Sequence, residues 1–169
     1  MIARVIRAVH TAPSRRAVTE MLAALAAFCA VAAAIASGTG LAHWSPHEPD
    51  SILLLALRAF VVPALCEELF FRAALVPGVG ESKRPWLWIG GSTLLFGAWH
   101  VVETTFLPGS ATTFLRHDFL ALALLMGLLC AILRHRSGSI WTAVALHWTV
   151  VVVWQGWFGG PAFGGGAGS

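Results

Sequence analysis

Long apolar stretches separated by short polar loops dominate the pattern of this 169-residue chain. A helix that crosses the hydrocarbon core of a bilayer needs about 20 mostly apolar residues. Five stretches approach that length, at residues 17–38, 51–77, 86–103, 118–134 and 139–158. The pattern therefore predicts an all-α fold, a polytopic membrane bundle of about five transmembrane helices.

The same pattern divides the chain into four regions. We expect a basic, interfacial cytoplasmic segment, a first transmembrane helix with its outer loop, an intramembrane core and a flexible glycine-rich tail, at residues 1–16, 17–50, 51–158 and 159–169. The apolar residues of the first region share one helical face, typical of a helix in the headgroup layer: Ile2, Val5, Ile6 and Val9. Alternatively, the first apolar stretch is a signal peptide, because a basic start precedes the small residues at 34–36.

Composition narrows the class of protein. Hydrophobic residues make up 57% of the chain and Asp, Glu, Lys and Arg only 11%, against about a quarter in a soluble domain. An ordinary soluble enzyme and a disordered chain are thereby excluded. The net charge of +3 is too small and too scattered for nucleic-acid binding. The three cysteines lie in apolar runs and form neither a secreted disulfide framework nor a metal knuckle.

Basic residues in the short loops predict the orientation, because Lys and Arg concentrate on the cytoplasmic side of a membrane protein. They occur before the first stretch and in alternate loops after it: Arg4, Arg7, Arg15, Arg16, Lys83, Arg84, Arg134 and Arg136. The two intervening loops hold only Arg116. We therefore expect a multi-pass protein of the cell membrane with its N terminus in the cytoplasm.

Ionisable side chains inside a span cost several kcal/mol and mark candidate functional sites. The second stretch holds four of them, and the third and fifth each add a histidine: Arg58, Glu67, Glu68, Arg72, His100 and His147. Glu68 and Arg72 stand four residues apart, so they meet on one helical face and can neutralise each other. Glu67 points about 100° away and has no partner on its own helix.

Helix rise predicts that these groups converge. At 1.5 Å per residue, Glu67, His100 and His147 lie near mid-membrane within about a turn and a half of one another. Pro63 should kink the second helix four residues before Glu67. Carboxylate, imidazole and a trapped water are the components of a hydrolase, in which one histidine assists Glu67 and the other donates to the developing oxyanion. The alternative is a structural ion cluster of both glutamates with Arg72.

Three motifs then resemble those of a known family. Residues 67–72 (EELFFR) read EExxxR, residues 96–100 (FGAWH) read FxxxH, and residues 138–147 (GSIWTAVALH) are similar to the stretch that leads to the last motif. Together they resemble the signature of the CPBP intramembrane proteases, the CAAX-processing and bacteriocin-processing enzymes also called Abi proteins. The resemblance covers roughly residues 55–155.

This resemblance implies a glutamic-type endopeptidase that needs no cofactor or metal and cleaves a membrane-anchored or lipidated protein, by CAAX-like or C-terminal sorting-signal processing. Glu67 and His100 would activate the water, Glu68 and Arg72 would support the glutamate, and His147 would help to bind the oxyanion. The family's last motif continues HxxxN or HxxxD, whereas this chain has Val151. Valine donates no hydrogen bond, and loss of one oxyanion donor typically costs about 10²–10³ in rate.

Other interpretations remain open at the level of sequence. Two histidines and a glutamate could hold zinc with water in the fourth position. A bacteriocin-immunity or transport protein could use the same buried charges without catalysis. Cys66 lies beside Glu67, but a buried thiol in apolar surroundings is normally inert, so we interpret it as a packing residue.

Overall fold

The computed structural model describes residues 1–106 and 111–161, and every regular element in these ranges is helical. The helices are α1 (Ile2–His10), α2 (Arg15–Thr39), α3 (Pro49–Ala59), α4 (Cys66–Glu68), α5 (Pro85–Glu103), α6 (Ala111–Phe114), α7 (His117–Ser137) and α8 (Trp141–Trp157). Two π-helical turns, Phe60–Leu65 and Leu69–Ala74, flank α4. We call residues 60–74 the motif segment. The predicted all-α fold is confirmed.

The second apolar stretch is bent rather than continuous. Val62 has extended backbone angles (φ −131°, ψ 119°) and precedes Pro63 through a cis peptide bond. Proline has no N–H to donate and disfavours helical angles in the residue before it. The bend matches the kink expected at Pro63, and it separates α3 from the part of the chain that carries the EExxxR motif.

Local sequence explains where the long helices begin and end. The hydroxyl of Ser14 accepts a hydrogen bond from the N–H of Ala17 at the start of α2. Pro85 opens α5, where a missing N–H costs nothing. Gly138 ends α7 with φ +70°, a left-handed conformation that glycine adopts readily.

Two of the described helices, α2 and α7, are long and apolar enough to cross a membrane by length and composition. Helix α8 has 17 residues, and the second stretch is interrupted at Val62. Helix α5 has 19 residues and is not one of these two candidates. The two candidate helices differ in position. Of the most apolar 18 residues of α7, 44% are buried inside the protein, whereas only 6% of the corresponding residues of α2 are buried. Helix α7 is therefore central and α2 peripheral.

The bundle has a basic end. Glu81 accepts hydrogen bonds from Arg4 at 3.1 Å and from Arg7 at 2.9 Å, and Glu20 accepts one from Arg136 at 2.7 Å. Eight of the 11 Lys and Arg residues belong to the segments that meet here: Arg4, Arg7, Arg15, Arg16, Lys83, Arg84, Arg134 and Arg136.

The opposite end, which we call the loop end, is formed by residues 40–48, the start of α7 and residues 156–161. The N–H of His47 donates to the carbonyl of Gly156 at 2.8 Å, and Arg116 donates to the carbonyl of Thr39. Residues 159–161, which belong to the predicted glycine-rich tail, make contacts with the bundle: the N–H of Gly160 donates to the carbonyl of Trp154, and Gln155 donates to the carbonyl of Pro161. The remainder of that tail, residues 162–169, lies outside the described residues.

Helix α1 docks on the bundle, so only part of its apolar face is available to the headgroup layer. Val5 and Val9 pack with the buried Ala8 against the motif segment and α8, whereas Ile2 and Ile6 remain exposed. Arg4 donates to the carbonyl of Ala74 at 3.1 Å. Helix α1 therefore covers the end of the motif segment that lies at the basic end of the bundle.

Candidate active site

The EExxxR residues lie in the middle of the bundle. The side chains of Glu68 and Arg72 are both 0% exposed, and Oε2 of Glu68 lies 3.2 Å from Nε of Arg72. The guanidinium carbon of Arg72 lies 4.1 Å from the centre of the Phe96 ring. Gly127 on α7 leaves the space for this packing, because a Cβ there would come within 3.2 Å of Arg72 and 3.0 Å of Phe96.

His147 links the two glutamates of the motif. Its Nδ1 atom lies 3.0 Å from Oε1 of Glu68, and its Nε2 atom lies 3.8 Å from Oε2 of Glu67. The ring is buried, and Phe96 contacts it edge-on. A carboxylate accepts hydrogen bonds but cannot donate them, so Nδ1 carries the proton and Nε2 of the neutral ring is an acceptor.

His100 is oriented in a similar way. Its Nδ1 atom lies 2.9 Å from the carbonyl oxygen of Phe96, one turn earlier on α5. The carbonyl accepts the Nδ1 proton and again leaves Nε2 of the neutral ring as an acceptor. This Nε2 atom lies 4.0 Å from Oε2 of Glu103. Both histidines are thus held through Nδ1 by the protein, which fixes the direction of Nε2.

Two contacts of the site were missed at the level of sequence. The indole N–H of Trp99 donates to Oε1 of Glu67 at 3.1 Å. Glu103 is buried, and its carboxyl group interacts with Glu67 and with Trp99. The spacing of Glu103 three residues after His100 was the available signal, since it sets both side chains on one face of α5.

A cavity of about 130 Å³ adjoins these groups. Three of its lining residues are ionisable, namely Glu67, His100 and His147. The rest of its wall is apolar and comes from α2, the residues after it, the motif segment, α5, α6, α7 and α8, with Phe28, Ala32, Ala36, Leu41, Ala42, Pro63, Phe96, Phe114, Phe119, Leu122, Ala123, Met126, Val150, Val151 and Trp154. The cavity can hold water at its polar end and apolar chain beyond it.

The structure thus brings together Glu67, Glu68, Arg72, His100 and His147, the five residues predicted from the sequence. The sixth ionisable residue of the spans, Arg58, does not join them: it is exposed on the outside of α3. Cys66 is also exposed, so it faces away from the site.

Val151 lines the cavity one turn after His147, so the position of the family's Asn or Asp is next to the polar groups. The nearby amide of Gln155 does not replace that residue, because its Nε2 atom donates to the carbonyl of Pro161 at 2.8 Å.

The described residues offer no group of three or more His, Cys, Asp and Glu side chains arranged to hold a metal ion. Residues 1–106 and 111–161 therefore contain no set of side chains placed to act as zinc ligands.

In a comparison with protein families, the family model "Type II CAAX prenyl endopeptidase Rce1-like" matches residues 49–153. This range includes the bend at Pro63, the motif segment and both histidines. Comparisons with curated proteins and with solved structures gave no match.

Proposed function

The chain belongs to the Rce1-like family of type II CAAX prenyl endopeptidases, and from this premise we propose that it is an intramembrane endopeptidase that cleaves a membrane-associated protein with a water molecule. The observation that carries the proposal is the position of His147, which is bonded to Glu68 and lies 3.8 Å from Glu67 at the polar end of an apolar cavity.

The proposed setting is a lipid bilayer crossed five times, with the N terminus in the cytoplasm. Large apolar side chains are exposed on each of the five long segments, for example Leu22, Leu57, Leu94, Leu128 and Val153. The charged groups of the motif are buried instead. This inverted distribution suits a protein surrounded by lipid. Clustering of the basic residues at one end agrees with that end facing the cytoplasm.

Water activation is assigned to Glu67 and His100. Oε2 of Glu67 is buried without a hydrogen-bond partner among the described residues, and Nε2 of His100, whose ring is held through Nδ1, can accept a hydrogen bond from a water molecule. A water between them would lose a proton to Glu67 as its oxygen bonds to the substrate carbonyl carbon. The same proton would then pass to the amide nitrogen as the carbon–nitrogen bond breaks.

The remaining residues support this step. His147, once its Nε2 atom has taken up a proton from solvent before the substrate binds, would donate that N–H to the oxyanion and keep the proton throughout, and Glu68 would stabilise the imidazolium through Nδ1. Arg72 would balance the charge of Glu68. With valine at 151, His147 is the side-chain donor assigned to the oxyanion, which predicts a slower enzyme than one with asparagine in that position.

A non-catalytic function, as an immunity or transport protein, is the second candidate. The observation that favours it is again Val151, because an apolar residue replaces a polar one beside the cavity. Such a protein would keep the ion pair of Glu68 and Arg72 for stability and would not need an unpartnered Glu67 oxygen.

The test is comparative proteomics of membranes that carry the wild-type protein or Glu67→Gln. We expect uncleaved precursors to accumulate with the variant, and purified wild-type protein to convert one of them. Exposed Glu48→Gln is the matched control. If Glu67→Gln and His100→Ala both keep full processing, the proposed chemistry is wrong. Loss of activity with a chelator and its recovery with zinc would instead support a metal-dependent protease.

A further inference from the structure

An open groove runs along the outside of α5, and it shares no lining residue with the cavity of the candidate active site. Its volume is about 540 Å³. One wall contains Leu87, Trp88, Gly91 and Leu95, whose spacings of three and four residues place them on one face of the helix. Leu75, directly after the motif segment, lines the other side. The groove is therefore apolar along most of its length.

The groove is cationic where it reaches the basic end of the bundle. Lys83 and Arg84 line it there, and both are exposed. Neither makes an ion pair with a described residue, because Glu81, in the same loop, is bound by Arg4 and Arg7 instead. None of the described residues that line the groove is Asp or Glu. The groove thus offers two cations that have no counter-charge in the described part of the protein.

The length of the groove matches one leaflet of a bilayer. From Arg84 to Leu95 the helix rises about 16 Å, at 1.5 Å per residue. The hydrocarbon of one leaflet is about 15 Å deep, half of the 30 Å core. A Cβ at Gly91 would meet nothing within 4 Å, so the middle of the groove is open. An acyl chain can therefore lie against α5 with its polar end beside the two cations.

Helix α1 adjoins the cationic end of the groove. The guanidinium carbon of Arg4 lies 5.9 Å from the centre of the Trp88 ring, and Arg4 also donates to the carbonyl of Leu75 at 3.3 Å. Tryptophan is enriched where headgroups meet acyl chains. Ile2 and Ile6 are exposed on α1, as expected of a helix in the headgroup layer. These contacts place the headgroup boundary at the level of Trp88.

We propose that this groove binds one anionic phospholipid from the leaflet at the basic end. The phosphate lies beside Lys83 and Arg84, and one acyl chain lies over Gly91. Basic pockets on the cytoplasmic side of membrane helices suit acidic headgroups, because the phosphate replaces the counter-charge that the protein lacks there. Binding of this lipid requires the proposed bilayer setting but not proteolysis, so Glu67→Gln should bind it as the wild type does.

The headgroup preference is tested by native mass spectrometry of the purified protein in detergent. The probes are phosphatidylglycerol and phosphatidylcholine with the same oleoyl chains, and the measured quantity is the lipid concentration at which half of the protein carries one lipid. We expect phosphatidylglycerol to bind about thirtyfold more tightly, the contribution of two cations near a membrane surface. Equal binding of the two lipids would overturn the proposal.

Two double variants with the same change of charge locate the headgroup. Lys83→Gln with Arg84→Gln should abolish the preference for phosphatidylglycerol. Arg15→Gln with Arg16→Gln should keep it, because these two residues are exposed at the same end but do not line the groove. Glycerol 3-phosphate, which carries a phosphate without acyl chains, should not displace the lipid at equal concentration. Equal loss in both double variants, or displacement by glycerol 3-phosphate, would contradict the proposal.

The position of the acyl chain is tested at two neighbouring glycines. Gly91 lines the groove and Gly90 does not, yet a Cβ at either position would meet nothing within 4 Å. Gly91→Leu should therefore melt at the same temperature as Gly90→Leu but bind phosphatidylglycerol at least about tenfold more weakly, the equivalent of about two lost methylene contacts. Unchanged affinity in Gly91→Leu would mean that the chain lies elsewhere and that the proposal is wrong. A dimer that only Gly91→Leu converts to a monomer would assign the groove to a second copy of the chain instead.

Discussion

The imidazole of His147 is anchored by Glu68, whose Oε1 atom lies 3.0 Å from Nδ1 of the ring. The other oxygen of the same carboxylate lies 3.2 Å from Arg72. Glu68 therefore has two separable roles, because it balances a buried cation and also fixes the direction in which His147 presents Nε2.

A charge-neutral pair of substitutions should separate these roles. Glu68→Gln leaves Arg72 buried without a counter-charge, and we expect a loss of about 3–5 kcal/mol in the free energy of unfolding. Glu68→Gln combined with Arg72→Met should recover most of that stability but not the proteolysis, since His147 still lacks its carboxylate. Thermal unfolding in detergent and a cleavage assay check the two expectations. Full activity in the double variant would contradict the anchoring role.

The indole of Trp99 should matter to the chemistry more than to the fold. Trp99→Phe removes the N–H that donates to Oε1 of Glu67, and a hydrogen bond to a charged group contributes about 1.5–3 kcal/mol. We expect cleavage to fall at least about tenfold, with the melting temperature close to that of Trp88→Phe, a control at an exposed site. An equal change in cleavage for the two variants would remove Trp99 from the site.

A donor restored at position 151 should accelerate the reaction. Val151 lines the cavity next to His147, so Val151→Asn offers an amide N–H to the oxyanion. One such donor contributes about 10²–10³ in rate where its geometry is ideal, and we expect an increase of at least about tenfold in kcat. Val151→Ala is the control, because it enlarges the cavity without adding a donor. No gain from asparagine would mean that the oxyanion lies elsewhere.

Two glycines on neighbouring helices should respond to alanine in opposite ways. A Cβ at Gly127 would meet Phe96 at 3.0 Å and Arg72 at 3.2 Å, whereas a Cβ at Gly90 would meet nothing within 4 Å. We expect Gly127→Ala to destabilise the protein by about 1–3 kcal/mol through overpacking. Gly90→Ala should stabilise it by up to about 1 kcal/mol through helix propensity. Unfolding in detergent measures both, and equal effects would contradict the tight packing around Arg72.

The contacts of Glu81 predict a pH dependence of stability. Burial raises the pKa of Glu81, but hydrogen bonds from Arg7 and from the N–H of Gly78 outweigh it, so the pKa lies below its usual value of 4.5. A carboxyl group with a lowered pKa in the folded state stabilises that state above its unfolded pKa and loses this effect as the pH falls through the folded value. The wild type should therefore exceed Glu81→Gln in stability at pH 7, and the difference should shrink below about pH 4.5. A constant difference from pH 7 to pH 3 would contradict this prediction.

Much of the site could be predicted from the sequence, because residue spacing within one helix determines which side chains share a face and how deep each one lies. The spacing of Glu68 and Arg72 predicts their ion pair, and counting residues from the helix ends predicts the common depth of Glu67 and His147. The structure has both features. Pro63 likewise predicts the bend, because its effect on the backbone acts on its immediate neighbours.

The features that the sequence left open depend on how helices face each other. Residue counting gives a height along a helix, but the direction of Trp99 or Glu103 around α5 relative to Glu67 depends on packing. The role of Gly127 depends on the ring of Phe96, which another helix supplies. The docking of α1 was missed because an amphipathic helix suits a membrane surface and a protein surface equally well.

The contacts of α1 impose an order on biosynthesis. The carbonyl of Val9 accepts a hydrogen bond from Trp141, 132 residues later in the chain. At about 5–20 residues per second, translation needs roughly 7–26 s to cover that distance. During this interval α1 has left the ribosome but lacks its partner on α8, and its apolar face is free to bind the membrane surface. Closure of the basic end is therefore a late event of synthesis, and the buried cluster is complete only after α8, which carries His147, has been made.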